Sequence, residues 1–571
     1  MKRTVSILLS LLVILLPFGT FTFDGIFRKQ EVILCSCCLL SAILLAYLIF
    51  LTVNGKRIPV SISILDISVT LFFVYSLMHL LLAKQLQVSE IIVYKWLAVL
   101  CIYTLCRIVL HKNMLMYAIV ISGFIQSVIA ILQKLYIIGN YNIFFDVTGA
   151  FNNPGRLGGY VAVAFVASIC LLNIAIKNKS YPKFLFLPVA SVLLFIALIL
   201  ADSRAAFVGV LCGISVYLYP KIHSLYRRHK FIFTVMLFTS VIFIGLFLFN
   251  YRQGSANSRL LIWRVSADMV CDKPLSGHGI TSFDRKYMHY QAAYFDKNPD
   301  SGFIPVADNV AYAYNEFIHV TVETGIAGLL ILLFVFYSAF LSKKQYPQKA
   351  VLAALLAFSM FSYPAEVFPL LILFPVIIGC IETKPFVKIC LQRGIFIIAG
   401  IALLLMIYTN IRSELYFRKA SVEFVQIREN NRLTKEYIGK HYWRLKYDHE
   451  FCHFYTAWLN ENYSENEIFN VLDLLPTSDS YCIFGEKYVK NGMYSKAEEC
   501  FKIASLMVPN RILPNYSLFK LYQKLGNKEK AVMMANKILN QYVKIINTQT
   551  IRMQFEAGNC LQSDSLSNLT N

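Results

Sequence analysis

Apolar runs of about 20 residues, most of them followed by a short polar loop, recur through the first 411 positions of the chain. They fall near 5–22, 32–53, 62–83, 92–110, 115–137, 157–176, 183–200, 205–219, 231–250, 323–342 and 394–411. One further run, 350–381, is interrupted by Ser362-Tyr363-Pro364-Ala365-Glu366. Proline removes a helix hydrogen bond, so this run is one broken helix or two short spans meeting at a turn. The pattern predicts an all-α, polytopic transmembrane helical bundle of about 12 or 13 spans. The start, MKRTVSILLSLLVILLPFG, has the charge and apolar run of a signal peptide. It lacks a small-x-small cleavage site and so predicts a first transmembrane helix.

Lysine and arginine set the expected orientation, because short cytoplasmic loops retain them. With the amino terminus inside, Lys56 and Arg57, Lys177 and Lys179, the 219–230 segment, and Lys343 and Lys344 all fall on the cytoplasmic side. The 382–393 loop, with Lys384, Lys388 and Arg393, joins them only if 350–381 crosses twice, which argues for 13 spans and an external tail. The external side then carries 138–157, a short connection near 201–204, and one long loop at about 251–322. That loop holds Trp263, Phe283, Tyr287, Tyr290, Tyr294 and Phe295, too aromatic a composition for disorder. A soluble helical tail, 412–571, follows the membrane domain, 1–411. In it Gly492 and Gly526, and likewise Ala497 and Ala531, recur at a period of about 34, which predicts tetratricopeptide-like helix pairs near 481–541 and a degenerate unit at 447–476 around Trp458. Such repeats are a docking surface for a protein or glycan partner, or a helical cap on the membrane domain.

Composition narrows the picture. Of 571 residues, 57% are hydrophobic and 15% charged, too little polar surface for a soluble chain of this size. The net charge of +21 is spread over inter-span loops, so it reads as topology signal and not as a nucleic-acid footprint. Cys35, Cys37 and Cys38 sit in or beside an apolar run as small hydrophobes, and Cys271, Cys452, Cys482, Cys500 and Cys560 lie in polar segments without a CxxC pair, so no metal site is expected.

Four external clusters carry candidate chemistry. Gly149–Gly159 is a tight Asn-Pro-Gly turn with Arg156 at the head of a span; alone it is a turn whose arginine reaches the interface. Asp202-Ser203-Arg204-Ala205-Ala206 places Arg204 on the external side, against the positive-inside bias, with Asp202 or a bound anion as its partner. In the long loop, Arg259 and Trp263 share a helix face one turn apart, followed by Gly277-His278-Gly279 and Phe283. No strand precedes that Gly-x-Gly, which excludes a dinucleotide site. The fourth cluster is Tyr314-Asn315-Glu316 with His319 and Glu323. Asn315, His319 and Glu323 recur every four residues, and a polar stripe entering the membrane is costly unless it faces a cavity.

Together these segments, GxFxNPxxLGGY at 149–160, SRAA at 203–206, RxxxW and GxGxxxF over 259–283, and NExxHxxxETGIxG from 315, resemble the O-antigen ligase and polymerase superfamily of bacterial membrane glycosyltransferases, over roughly 115–345. The resemblance implies a helical membrane fold of the bacterial inner membrane with a periplasmic active face. It implies transfer of a glycan from undecaprenyl pyrophosphate to a hydroxyl, without metal or nucleotide. The acceptor is the lipid A-core in ligases, a growing glycan in polymerases, and a protein in O-oligosaccharyltransferases. Arg204, Arg259 and Arg156, with Asn315, would hold pyrophosphate and glycan, since the guanidinium fork binds phosphate bidentately and stabilises the leaving charge. Catalytic candidates are Glu316, His319 and Tyr314. Ligases carry histidine at the position of Tyr314, and a tyrosine of pKa about 10 is a poor base at neutral pH, so Glu316 or His319 takes that role or the acceptor chemistry differs. The readings outside enzymes are a lipid-linked glycan transporter, for which no internal repeat is visible, and an assembly scaffold built on the tail.

Overall fold

A computed structural model describes residues 2–20, 41–54, 58–82, 90–108, 112–228, 253–342, 345–430 and 465–569 apart from a few single positions, and scattered residues over 442–455. The expected span at 231–250, residues 32–40 of the expected span at 32–53 and most of the expected degenerate repeat around Trp458 lie outside the described residues.

The fold is all-α with a single two-stranded ribbon. In chain order the elements are α1 (Lys2–Leu15), β1 (Ile58–Ser63), α2 (Ile64–Leu82), α3 (Glu90–Ile108), α4 (Lys112–Lys134), α5 (Pro154–Lys177), α6 (Tyr181–Ala201), α7 (Arg204–Arg228), α8 (Gln253–Asp272), α9 (Phe283–Lys297), α10 (Glu316–Phe340), α11 (Tyr346–Ser359), α12 (Phe368–Cys380), β2 (Pro385–Leu391), α13 (Arg393–Asn430), α14 (Glu465–Leu474), α15 (Ser478–Lys490), α16 (Tyr494–Met507), α17 (Ile512–Lys524), α18 (Lys528–Asn540) and α19 (Thr548–Leu569). Among the described residues, four helical stretches are long and apolar enough to cross a membrane: Lys112–Lys134, Pro154–Lys177, Glu316–Phe340 and Gly394–Ala420. Shorter apolar helices accompany them, including Ile64–Leu80, Leu185–Leu200 and Phe368–Cys380. Their outward faces are greasy: Leu185, Val189, Val192 and Ile199 on α6, and Ile398, Leu404 and Leu405 on α13, are all exposed. Rows of exposed aliphatics suit a hydrocarbon solvent, in which a helix satisfies all its backbone groups internally.

Two compact units emerge, both discontinuous in sequence. The first comprises residues 1–248, 314–320 and 327–430; the second comprises 249–313, 321–326 and 431–571. The core of the first is built by α4, α5, α6, α7 and α11, where small residues permit close packing. A Cβ on Gly123 would sit 2.3 Å from the Ala164 Cβ, and one on Gly159 would sit 2.3 Å from the Phe358 ring.

The run at 350–381 resolves into α11 and α12 with a 3-10 turn at Pro364–Glu366 between them, as the Pro364 interruption anticipates. Both helices have their outer ends together, since the Glu382 N–H donates to Gln345 Oε1 at 2.8 Å. At that end β1 pairs antiparallel with β2, a ribbon that apolar periodicity did not announce. The end is locked by a largely buried ion pair. Arg107 approaches Asp66 with Nε at 2.7 Å and Nη2 at 2.8 Å, Tyr103 and Ser63 also donate to that carboxylate, and Arg107 Nη1 donates to the Ile381 carbonyl at 2.7 Å. With every lone pair satisfied the pair is tolerable in an apolar bundle.

In the second unit the tail helices form two successive pairs, α15 with α16 and α17 with α18. Gly492 and Gly526 occupy the equivalent turn of each pair, both at positive φ (75° and 70°), a left-handed conformation that favours glycine. The same unit contains the long loop: α9 packs on α16 and α14.

Candidate functional site

In the first unit the site begins at the turn before α5. Gly149 and Asn152 both take positive φ (55° and 56°), and the turn is tied down by two buried glutamines of α4. Gln133 Oε1 accepts from Thr148 N at 3.0 Å and Gly149 N at 2.7 Å, and Gln126 Oε1 accepts from Ala150 N at 3.0 Å. Asn153 then caps α5, its side chain accepting from Gly155 N at 2.8 Å and Arg156 N at 3.3 Å, with Pro154 in the first helical turn. Asn-Pro-Gly-Arg thus becomes a rigid helix start with Arg156 in its first turn.

The Arg156 guanidinium lies 5.4 Å from the centroid of the Tyr363 ring, within cation–π range. Its Nε is buried without a hydrogen-bond partner. Tyr363 in turn meets Tyr314 edge to face, with centroids 5.0 Å apart. Two residues past Tyr363, the Ala365 N–H donates to Glu316 Oε1 at 2.8 Å, holding a carboxylate that is only 9% exposed. Arg204 opens α7 beside this start, because Gly158 of α5 packs so closely on Ser203 that an added Cβ would stand 2.6 Å from the serine Cβ. Arg156, Arg204, Tyr314 and Glu316 are therefore brought to one end of this unit.

Asn315 caps a helix at this end of the unit. Its Oδ1 accepts from Phe317 N at 3.0 Å and Ile318 N at 3.2 Å, which makes it the N-cap of α10. His319 sits half-buried one turn on, its N–H bonded to the Asn315 carbonyl at 2.9 Å. The stripe of Asn315, His319 and Glu323 thus starts with a cap, and the carboxylate that enters the interior is that of Glu316. Glu316 also lines an open apolar cleft of about 140 Å³, with Phe72, Trp96, Phe336, Leu371 and Phe374 among its walls.

Arg259 belongs to the second unit, where its Nη1 donates to Ser255 Oγ at 3.0 Å. One turn along α8, Trp263 Nε1 donates to the Ala313 carbonyl at 3.0 Å. The Gly277-His278-Gly279 turn clasps α10: His278 N–H bonds the Val322 carbonyl and Gly279 N–H the Glu323 carbonyl, each at 2.9 Å, while Ile326 N–H bonds the Pro274 carbonyl at 2.8 Å. Helical geometry breaks there at Gly325 (φ 72°, ψ −179°). The Gly-x-Gly at 277–279 is a turn fitted to a helix kink. His278 Nε2 lies 2.8 Å from the Met269 carbonyl, and burial lowers its pKa, which favours the neutral ring.

Sequence reasoning singled out Arg156, Arg204, Arg259 and the Tyr314–His319 segment. It passed over Tyr363, Ala365, Gln126 and Gln133. Polar residues around Pro364 in an otherwise apolar run were the available signal for the first two; glutamines inside a span, costly unless they bond something, were the signal for the others. Among the described residues, no group of three or more His, Cys, Asp and Glu side chains could hold a metal ion.

Residues 189–333 match the family model described as O-antigen ligase. That stretch runs from α6 into α10 and includes Arg204, Arg259, Tyr314, Glu316 and His319; Arg156 and Tyr363 lie outside it. No curated protein matches the chain.

Proposed function

We propose that this membrane protein is a glycosyltransferase of the O-antigen ligase type. It moves a glycan from undecaprenyl pyrophosphate to a hydroxyl acceptor, with the lipid A-core as the leading candidate, on the periplasmic face of the inner membrane. The observation that carries the reading is the apolar cleft that reaches the Glu316 carboxylate next to the Arg156–Tyr363–Tyr314 group. An isoprenoid chain fits a cleft of phenylalanine, tryptophan and aliphatic side chains, and its diphosphate fits arginines.

In the proposed reaction the acceptor oxygen attacks the anomeric carbon. The glycosidic bond to phosphate breaks, and its electron pair leaves with undecaprenyl pyrophosphate. Arg156 and Arg204 stabilise that developing charge, which preplaced guanidiniums do with little reorganisation. The acceptor proton passes to a carboxylate or imidazole, Glu316 before His319, because Glu316 lines the cleft. The Ala365 N–H donates to Glu316 Oε1 and holds the carboxylate at the cleft. Tyr314 orients Tyr363 under Arg156 by their edge-to-face contact.

The match to O-antigen ligases and the shared unit of loop and tail support an external loop and tail; the return of α11 and α12 to the ribbon end supports a double crossing. The 34-residue repetition of the helix pairs supports a tetratricopeptide-like tail. The test is deletion of the gene with analysis of surface glycans. Carrier-linked polymer that accumulates while lipid A loses its long chains is the ligase outcome, and single-unit chains on lipid A are the polymerase outcome. Unchanged glycans would end the transferase reading.

A further inference from the structure

The long loop has a stretch, Ile304–Ala313, that is irregular beyond a single 3-10 turn at Ile304–Val306 and is held chiefly by the tail. Asn510, in the turn between α16 and α17, is 2% exposed and donates its Nδ2 to the carbonyls of Ile304 at 2.9 Å and Ala307 at 2.7 Å, with Pro305 at 3.4 Å. Gln291 of α9 bridges the two parts, donating to the Asp308 carbonyl at 3.1 Å and the Met507 carbonyl at 2.6 Å. The Asp308 carboxylate receives Lys544 at 2.8 Å and Arg511 at 3.4 Å. Asn309 donates to Asp479 at 2.9 Å and accepts from the Ser478 N–H at 3.2 Å. At the other end the Ala313 carbonyl is fixed by Trp263. Tyr314 is the next residue in the chain.

A stretch without regular structure bonds few of its own carbonyls, and in water it would sample many conformations. Here the carbonyls of Ile304, Pro305 and Ala307 are all answered by one tail side chain, the buried Asn510 amide. We propose that the tail is an intramolecular positioning element for the loop, and that Asn510 is the positioning residue that fixes the course of Ile304–Ala313. Partner recruitment is then not the tail's first task, because the turn carrying Met507 and Asn510 is occupied by the chain itself. The effect on transfer rests on the glycosyltransferase reading; the ordering of the segment does not.

The experiment uses the full chain in lipid nanodiscs and in membrane vesicles. Asn510→Asp keeps the shape and loses the donor, and Asn510→Ala removes both. Hydrogen exchange of peptides covering 304–313 is expected to accelerate about tenfold in both variants, with exchange over α15–α18 unchanged. In vesicles titrated with polyprenyl-pyrophosphate-linked glycan extracted from the host, kcat per folded protein, with the folded fraction taken from the exchange over α15–α18, is expected to fall about tenfold while the half-saturating donor concentration stays within about twofold. Unchanged exchange over 304–313 overturns the proposal, and so does accelerated exchange with wild-type kcat. If the Asn510 variants loosen the whole tail, Asn309→Ala, made from the loop side, decides by the same exchange criterion. Should wild-type vesicles transfer no glycan, the function reading falls, and the exchange result alone decides whether the tail orders the loop.

Discussion

At the scale of single residues, charge and capping divide the work. Arg156 has a buried Nε without a protein acceptor and an aromatic ring beneath its guanidinium, so its free face suits an anion. Arg156→Ala is expected to lower the initial rate of transfer about 100-fold, with Arg156→Lys intermediate because an ammonium lacks the planar fork. Rates in vesicles of matched protein content check this, and a wild-type rate in Arg156→Ala would remove the arginine from the site. Glu316→Gln keeps the acceptor for the Ala365 N–H and loses the proton-accepting carboxylate; a loss of at least about 100-fold is expected. Asn315 makes the opposite case. As an N-cap it should tolerate Asn315→Asp, whereas Asn315→Ala should cost about 1 kcal/mol, read from the midpoint of thermal unfolding in detergent. The sequence exposed these residues because polar groups at span ends are conspicuous. It hid the role of Asn315, since cap and ligand use the same side-chain oxygen.

At the scale of elements, the kink in α10 and the turn that clasps it are one device. A Cβ on Gly325 would lie 2.0 Å from the Leu275 carbonyl oxygen, and one on Gly277 would lie 2.5 Å from the Glu323 backbone; both glycines hold positive φ. Gly325→Ala and Gly277→Ala should each destabilise the protein by about 1–3 kcal/mol, visible as a lower unfolding midpoint. The ribbon end gives a second test. Asp66→Ala would leave the Arg107 guanidinium buried and uncompensated, at a cost of about 3–5 kcal/mol by the same measurement. The spans were legible because 20-residue apolar runs have few alternatives. The ribbon was not, since β1 and β2 are each short and find their partner more than 300 positions away.

At the scale of the whole molecule, loop and tail fold as one unit, and that contact should respond to pH. Burial raises the Asp308 pKa, but the Lys544 and Arg511 charges outweigh it and hold the carboxyl below the usual carboxylate range. A depressed folded pKa contributes stability above the unfolded value and loses it as pH falls through the folded one. Exchange over 304–313 should therefore quicken as pH drops below about 4, once intrinsic exchange rates are corrected for pH, and Asp308→Asn should abolish that response.

The sequence by itself determined that the chain is a helical membrane protein, where its apolar runs lie, which turns carry arginine and carboxylate, and that the tail repeats at about 34 residues, because each of these is a local pattern of polarity and spacing. Only the tertiary structure decided that Tyr363 and Ala365 complete the group around Arg156 and Glu316, that Asn315 caps a helix, that Gly277 fits a kink at Gly325, and that the tail grips the loop. Those are contacts between segments far apart in sequence, made by buried hydrogen bonds and close glycine approaches, and a linear pattern does not encode which partner a buried group will find.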